Sequence, residues 1–264
     1  MKIVIIAPMQ TDMKLETSAL MATVNHPPRQ YLAKVVDVRS ISHDVFRVEL
    51  KLPRRREVSF YAGQYLSVNL PDHDPCYFSI ASSPSAEHIE LHIQASPDWV
   101  SAGKVIDALT SGQDVTVQLP NGRACLTAAP ERPLLLVAAG TGFAQMKSLV
   151  EFLQETPYHQ PLTLFWGARK HEDMYLRSLA QQWQENSDTF TFVPVVGNDE
   201  DSDWGGHHEQ LVRAVLATGA DWQNVEVHAS GSPVMVYTLM DALLEQGLPE
   251  SAFFSDVLEY APRA

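Results

Sequence analysis

Between residues 31 and 129, apolar and polar positions alternate in short runs separated by turn residues. Phe46, Val48, Leu50 and Leu52 form one run, and Leu66, Val68 and Leu70 a second. Ile89, Leu91 and Ile93 form a third, and Val115, Val117 and Leu119 a fourth. Period-two alternation turns one face of each strand inward and leaves the other to solvent. Pro53, Gly63, Pro71, Pro84 and Gly112 fall between the runs, where the chain must turn. One helical stretch, about 99–109, interrupts them. Many short strands with a single helix predict a small antiparallel barrel.

The pattern changes at Glu131-Arg132-Pro133. Leu134-Leu135-Leu136-Val137-Ala138-Ala139 is continuously apolar, as in a strand buried on both faces. Met146, Leu149, Val150 and Leu153 then follow at helical spacing. Further strands are expected at 162–166, 190–196, 225–229 and 253–258, with helices at 172–184, 209–217 and 234–245. Strand and helix in turn predict a doubly wound parallel sheet. The chain therefore divides into a barrel domain at 31–130 and an α/β domain at 131–264. Residues 1–30 read as a poorly ordered tail, either a native arm or the product of a start upstream of Met13 or Met21. The acidic run at 199–203 reads as a solvated loop.

Composition narrows the chemistry. Of 264 residues, 45% are hydrophobic and 19% charged, enough apolar material for two cores. A net charge of −13 argues against broad nucleic-acid or anionic-membrane binding. The first eight residues are too short an apolar run for a membrane span. Cys76 and Cys125 are the two cysteines, and neither has a metal-ligand neighbour, so no metal site is expected. Two thiols without a secretory signal fit a reducing cytoplasm.

Ala139-Gly140-Thr141-Gly142-Phe143-Ala144 joins a buried strand to a helix. Such a turn lets a pyrophosphate approach free backbone N–H groups. Gln145 stands where a full dinucleotide fingerprint has its third glycine, so the turn alone leaves tight packing and phosphate binding both open. Gly63-Gln64-Tyr65 and Cys76-Tyr77-Phe78-Ser79-Ile80-Ala81-Ser82 read, each by itself, as a turn and an apolar strand.

Taken in order, these segments are more specific. Gly-Gln-Tyr, the Tyr-Phe-Ser strand, Ile89-Glu90-Leu91-His92-Ile93 and Pro120-Asn121-Gly122 precede the Gly-Thr-Gly-Phe turn. Trp166-Gly167-Ala168-Arg169 and Ser230-Gly231-Ser232-Pro233-Val234-Met235 follow it. From residue 31 onward this order resembles the ferredoxin-NADP reductase superfamily. Phe78-Ser79, Glu-Leu-His-Ile, Arg132-Pro133 and Phe254-Ser255-Asp256 look most like its bacterial NAD(P)H:flavin reductases.

The resemblance implies a flavin-binding barrel, a nicotinamide-binding α/β domain and hydride transfer from NADH or NADPH to flavin N5 between them. The flavin is FAD, FMN or riboflavin. Ser79 and Ser230 are the candidate catalytic residues, Ser79 with its hydroxyl near N5, where it can donate or accept. Tyr65, Cys76, Tyr77, Phe78, His92 and Ile93 are the candidate flavin contacts, His92 as a surface or flavin-edge residue. Gly140, Thr141, Gly142, Phe143, Gly167, Arg169, Gly231, Ser232 and Pro233 are the candidate nicotinamide-nucleotide contacts. Arg169 and Lys170 are either binders of a 2′-phosphate or solubilising cations.

Departures from the family pattern matter. Cys76 stands where relatives commonly carry an Arg that supports the flavin phosphate. Its loss removes charge-assisted hydrogen bonds worth roughly 1.5–3 kcal/mol, about ten- to a hundredfold in affinity. A dissociable flavin is therefore expected. Ser230 replaces a Cys of many relatives, and no four-Cys ferredoxin segment is present. Alternative readings are a bound-flavin reductase that passes electrons to an oxygenase or iron–sulfur protein, and a degenerate nucleotide sensor. His207-His208 marks a helix start, and Tyr260 is either a cover for the flavin or a frayed end.

Overall fold

The computed structural model describes residues 26–71, 73–96, 100–197 and 204–263. The 199–203 run and residues 1–25 of the expected tail lie outside the described residues. The expectation of a tail through residue 30 needs correction at its end. Arg29 already begins strand β1 (Arg29–Ser40), because its backbone pairs with Leu119.

Five more strands complete the first sheet: β2 (Val45–Lys51), β3 (Tyr65–Asn69), β4 (Cys76–Ser79), β5 (Ile89–Gln94) and β6 (Val115–Asn121). Their order is β4-β3-β6-β1-β2-β5, every pairing antiparallel. A bridge from Ile80 to Leu91 brings the two edges together, so the barrel is nearly closed. Helix α1 (Val100–Thr110) packs Val105, Ile106 and Leu109 on a core of Leu50, Leu66, Leu91, Ile93 and Val117.

The second sheet is parallel, in the order β11-β10-β7-β8-β9. Its strands are β7 (Leu134–Ala139), β8 (Leu162–Ala168), β9 (Phe190–Val196), β10 (Glu226–Ser230) and β11 (Phe253–Phe254). Leu134 and Leu136 of β7 enter one core, with α2 (Phe143–Gln154) and α3 (Arg177–Glu185). Leu135 and Val137 enter the other, with α4 (Trp204–Leu216) and α5 (Pro233–Glu245). The run of apolar residues in β7 serves these two cores at once.

Three elements differ from their sequence patterns. The helix expected at 172–184 is split into a 3-10 turn, His171–Asp173, and α3, with the partly buried Tyr175 packed on the α/β core between the two. The last strand stops after Phe254, and Val257–Tyr260 forms a single helical turn, α6. The Ser255 hydroxyl accepts from Val257 N and starts that turn. Finally, β5 is buried on both faces, because its polar side packs on the second domain. His207 and His208 are the fourth and fifth residues of α4, so the helix starts ahead of the pair expected to mark it.

Candidate functional site

In an open parallel sheet, ligands bind where strand order reverses. Here the reversal lies between β7 and β10. Their C-terminal ends carry Gly140–Gly142 and Ser230-Gly231, side by side. A Cβ on Gly142 would stand 2.2 Å from the Ser230 carbonyl oxygen, so only glycine fits there. Gly140 has open space where a side chain would begin, room for an approaching ligand. Trp166 Nε1 donates to the Gly140 carbonyl at 3.0 Å, and its ring stacks on Phe143 at 3.9 Å.

A cleft of about 650 Å3 separates the domains at this point, within the range of small-molecule sites. Tyr65, Tyr77, Phe78, Ser79 and Asn121 form the barrel wall. Gln145, Ser230, Gly231, Ser255, Asp256, Val257 and Tyr260 form the other. Tyr65 pairs with Ser79 and Ser67 with Tyr77, so these four side chains share one face of the β3–β4 ribbon. Tyr65 and Tyr77 meet edge to face at 5.9 Å. Cys76 and Phe78 take the opposite face, against the barrel core, though Phe78 still borders the cleft. Cys76 opens instead on a second cavity of about 450 Å3, with His73, Asp74, Ser101 and Lys104.

Asp256 is the charged group of the cleft. Burial pushes its carboxyl up to about 7, and Glu259 adds to the effect. Donors oppose this: Ala124 N to Oδ1 at 3.3 Å, Gln145 Nε2 to Oδ2 at 3.0 Å, and the backbone N–H of Arg123. Gly122, at φ +90°, is required here, since a Cβ would lie 2.7 Å from Asp256 Oδ1. Burial, with the nearby Asp256, also pushes the Tyr65 phenol up to about 12.

Away from the cleft, a second buried carboxyl joins the domains. Glu90 of β5 accepts from Arg47 Nη2 at 2.9 Å and His92 Nε2 at 2.8 Å, with Lys147 Nζ at 3.4 Å. Burial alone would raise its pKa, but these partners hold it well below the usual carboxylate range. Since a carboxylate only accepts, His92 Nε2 carries the hydrogen, and Nδ1 accepts from Tyr175 at 3.1 Å. Lys147 also meets Glu151 at 2.6 Å.

The structure thus brings Tyr65, Tyr77, Phe78, Ser79, Ser230 and Gly231 together on one cleft. Gly140, Thr141 and Gly142 stand beside it, with Ser232 capping α5 by accepting from Met235 N and Pro233 opening its first turn. It does not bring Cys76, His92 or Ile93 there. The reading of His92 as a surface residue needs correction: its side chain is fully buried at the domain junction. Ile93 belongs to the barrel core and Phe143 to the α/β core. Gly167 packs near Leu211, and Arg169 and Lys170 are exposed beyond β8. Gln145 and Asn121 were not among the expected site residues. Gln145 was visible as a polar residue in a glycine's place, but nothing local assigned it a contact.

Residues 32–125 match the family model for an oxidoreductase FAD-binding domain, and residues 136–240 that for an oxidoreductase NAD-binding domain. The chain is 32% identical over 204 residues to the NAD(P)H-flavin reductase of Aliivibrio fischeri, covering 75% of this chain and 85% of that one. It is 28% identical over 253 residues to terephthalate 1,2-dioxygenase, reductase component 2, of Comamonas sp, covering 96% and 75%. Among solved structures, the cytochrome P450 reductase GcoB of Amycolatopsis superposes with a TM-score of 0.75 at 24% identity, covering 88% of this chain and 70% of that one. The chain belongs to the ferredoxin-NADP reductase superfamily. It is an oxidoreductase whose cofactors are a flavin and NADH or NADPH. The cleft fits such a pair: aromatic and hydroxyl side chains face a strand-end turn with room for a nucleotide. Among the described residues, no helix is long and apolar enough to cross a membrane.

Proposed function

We propose that the chain is an NAD(P)H-dependent flavin reductase that holds its flavin loosely, as a substrate. The observation that carries this reading is the chemistry of the cleft wall. Among the described residues its lining contains no Lys, Arg or His, and its one carboxyl is Asp256. Rings, hydroxyls and amides recognise a planar heteroaromatic ring, whereas a phosphate gains most from cations. When bound, the two cofactors supply a hydride donor and a hydride acceptor. Tyr65, Tyr77 and Phe78 would hold the flavin ring. The Ser79 hydroxyl donates or accepts as the ring's edge requires. Gly140–Gly142 and Ser230-Gly231 would hold the nicotinamide nucleotide, and Asp256 takes up or releases a proton near neutral pH.

A second reading rests on the cavity at Cys76. Lys104 and His73 there favour the phosphate end of a retained flavin nucleotide. The chain would then pass electrons to a partner protein, as the name of its Comamonas relative suggests for that protein. The test is the visible spectrum of the purified chain, followed by NADH and NADPH oxidation with riboflavin, FMN and FAD in turn. The first reading expects a nearly colourless protein whose turnover depends on added flavin. A yellow protein that reduces a carrier without free flavin supports the second. Tight binding of either ligand with no turnover overturns both and leaves a nucleotide sensor. Cys76→Arg should tighten FMN and FAD about ten- to a hundredfold and leave riboflavin unchanged, as a regained phosphate contact requires.

A further inference from the structure

Gln145 is the third residue of α2, almost fully buried, at the meeting point of three chain segments. Its Nε2 lies 2.8 Å from the Gly63 carbonyl, 3.1 Å from the Ala124 carbonyl and 3.0 Å from Asp256 Oδ2. Two of these acceptors belong to the barrel portion of the chain, and the third to the C-terminal segment. A carboxamide nitrogen has two hydrogens, so three acceptors compete for them. An ionised carboxylate wins such a competition, because its hydrogen bonds are charge-assisted. Among the described residues, Gln145 is the one side chain that donates to Asp256. The other oxygen of Asp256 is held by Ala124 N. Each domain therefore grips one oxygen of the carboxyl.

We propose that Gln145 is a positioning residue of the cleft, whose carboxamide fixes the Asp256 carboxyl against the barrel and so aims the group that handles the proton. The inference rests on the proposed reaction only for what that proton is used for. The titratable groups around Asp256 are Tyr65 of β3, Arg123 and Cys125 after β6, and Glu259 and Tyr260 of α6. Arg123 lies 3.8 Å from Glu259, so its charge is engaged away from Asp256. Gln145 is thus the contact through which α2 acts on the carboxyl.

The test is Gln145→Leu in the full chain, which keeps side-chain bulk and removes the donor. Two curves are read: melting temperature from pH 4 to 9, and kcat/KM for NAD(P)H at saturating flavin over the same range. In the wild type both have a midpoint near neutrality that disappears in Asp256→Asn. Losing the donor should move both midpoints up by about one pH unit, a tenfold change in acidity. In the Asp256→Asn background, Gln145→Leu should shift neither curve further. A melting temperature lowered equally at every pH, with unmoved midpoints, overturns the proposal. So does a wild-type curve with no midpoint that Asp256→Asn removes. The melting curve needs no turnover. A shift there without flavin reduction upholds the positioning of Asp256 and rejects the proposed reaction instead. Should the Leu variant not fold, Gln145→Asn, one methylene shorter, must show a smaller shift in the same direction; its absence overturns the proposal.

Discussion

Glu90 and Asp256 are both carboxyls buried between the same two domains, and their surroundings treat them in opposite ways. Glu90 lies among Arg47, His92 and Lys147, which keep it ionised. Asp256 has only neutral donors and a like-charged neighbour, Glu259, and its carboxyl is pushed up to about 7, first by burial. The first arrangement suits a fixed joint, since a charge with three partners has no reason to change state. The second suits a group that exchanges protons at working pH. Position agrees with chemistry: Asp256 lines the cleft, while Glu90 lies away from its wall.

The largest effect should come from the joint. Lys147→Met takes from Glu151 its cation and weakens the hold on Glu90, so stability at neutral pH should fall by about 3–5 kcal/mol, the usual cost of breaking a buried pair. Calorimetric unfolding checks this. Turnover per folded molecule should persist; if it is lost while the fold is kept, the division between joint and cleft is wrong.

A smaller, pH-dependent effect separates the two carboxyls by sign. The folded state raises the pKa of Asp256, so its contribution to stability is full below about 4. That contribution is lost as pH rises through about 7. Linkage makes this a few kcal/mol across that window. Asp256→Asn should flatten the slope and make the protein more stable than wild type at pH 8. Glu90 behaves in reverse. Its folded value is depressed, so its contribution is present above the unfolded value near 4.5 and lost only as pH falls through the folded one. Glu90→Gln should therefore leave the slope near neutrality intact. If the near-neutral slope follows Glu90 instead, the contrast fails.

The smallest effect tests the turn beside the cleft. Trp166→Phe keeps the stack on Phe143 but removes the donor to the Gly140 carbonyl. One neutral hydrogen bond is worth about 1 kcal/mol, so KM for NAD(P)H should rise about fivefold with the flavin KM unchanged. Equal rises in both would show that Trp166 supports the whole cleft and not the nucleotide turn.

Much of this molecule follows from local patterns. The alternation in β2, β3 and β6 and the unbroken apolar run of β7 were enough to predict a barrel followed by a parallel sheet, because burial on one or two faces leaves its period in the chain. The Gly-Thr-Gly turn and Ser79 stood out only through the order of motifs and the resemblance that order carries, since a tight turn or a hydroxyl on a strand is ambiguous by itself. The domain junction was not. Glu90 and His92 occupy the polar phase of β5. Gln145, Ser148 and Glu151 lie off the apolar stripe of α2. By periodicity both faces belong to solvent. Tertiary structure buries them against each other: Ser148 donates to Ser82, Glu151 accepts from Ser83 N, and Lys147 reaches Glu90. Periodicity reports how each element meets its own domain. It carries no record of a polar partner about 60 residues away, and only docking of the two domains decided that Glu90 would be buried among cations and Asp256 buried among neutral donors.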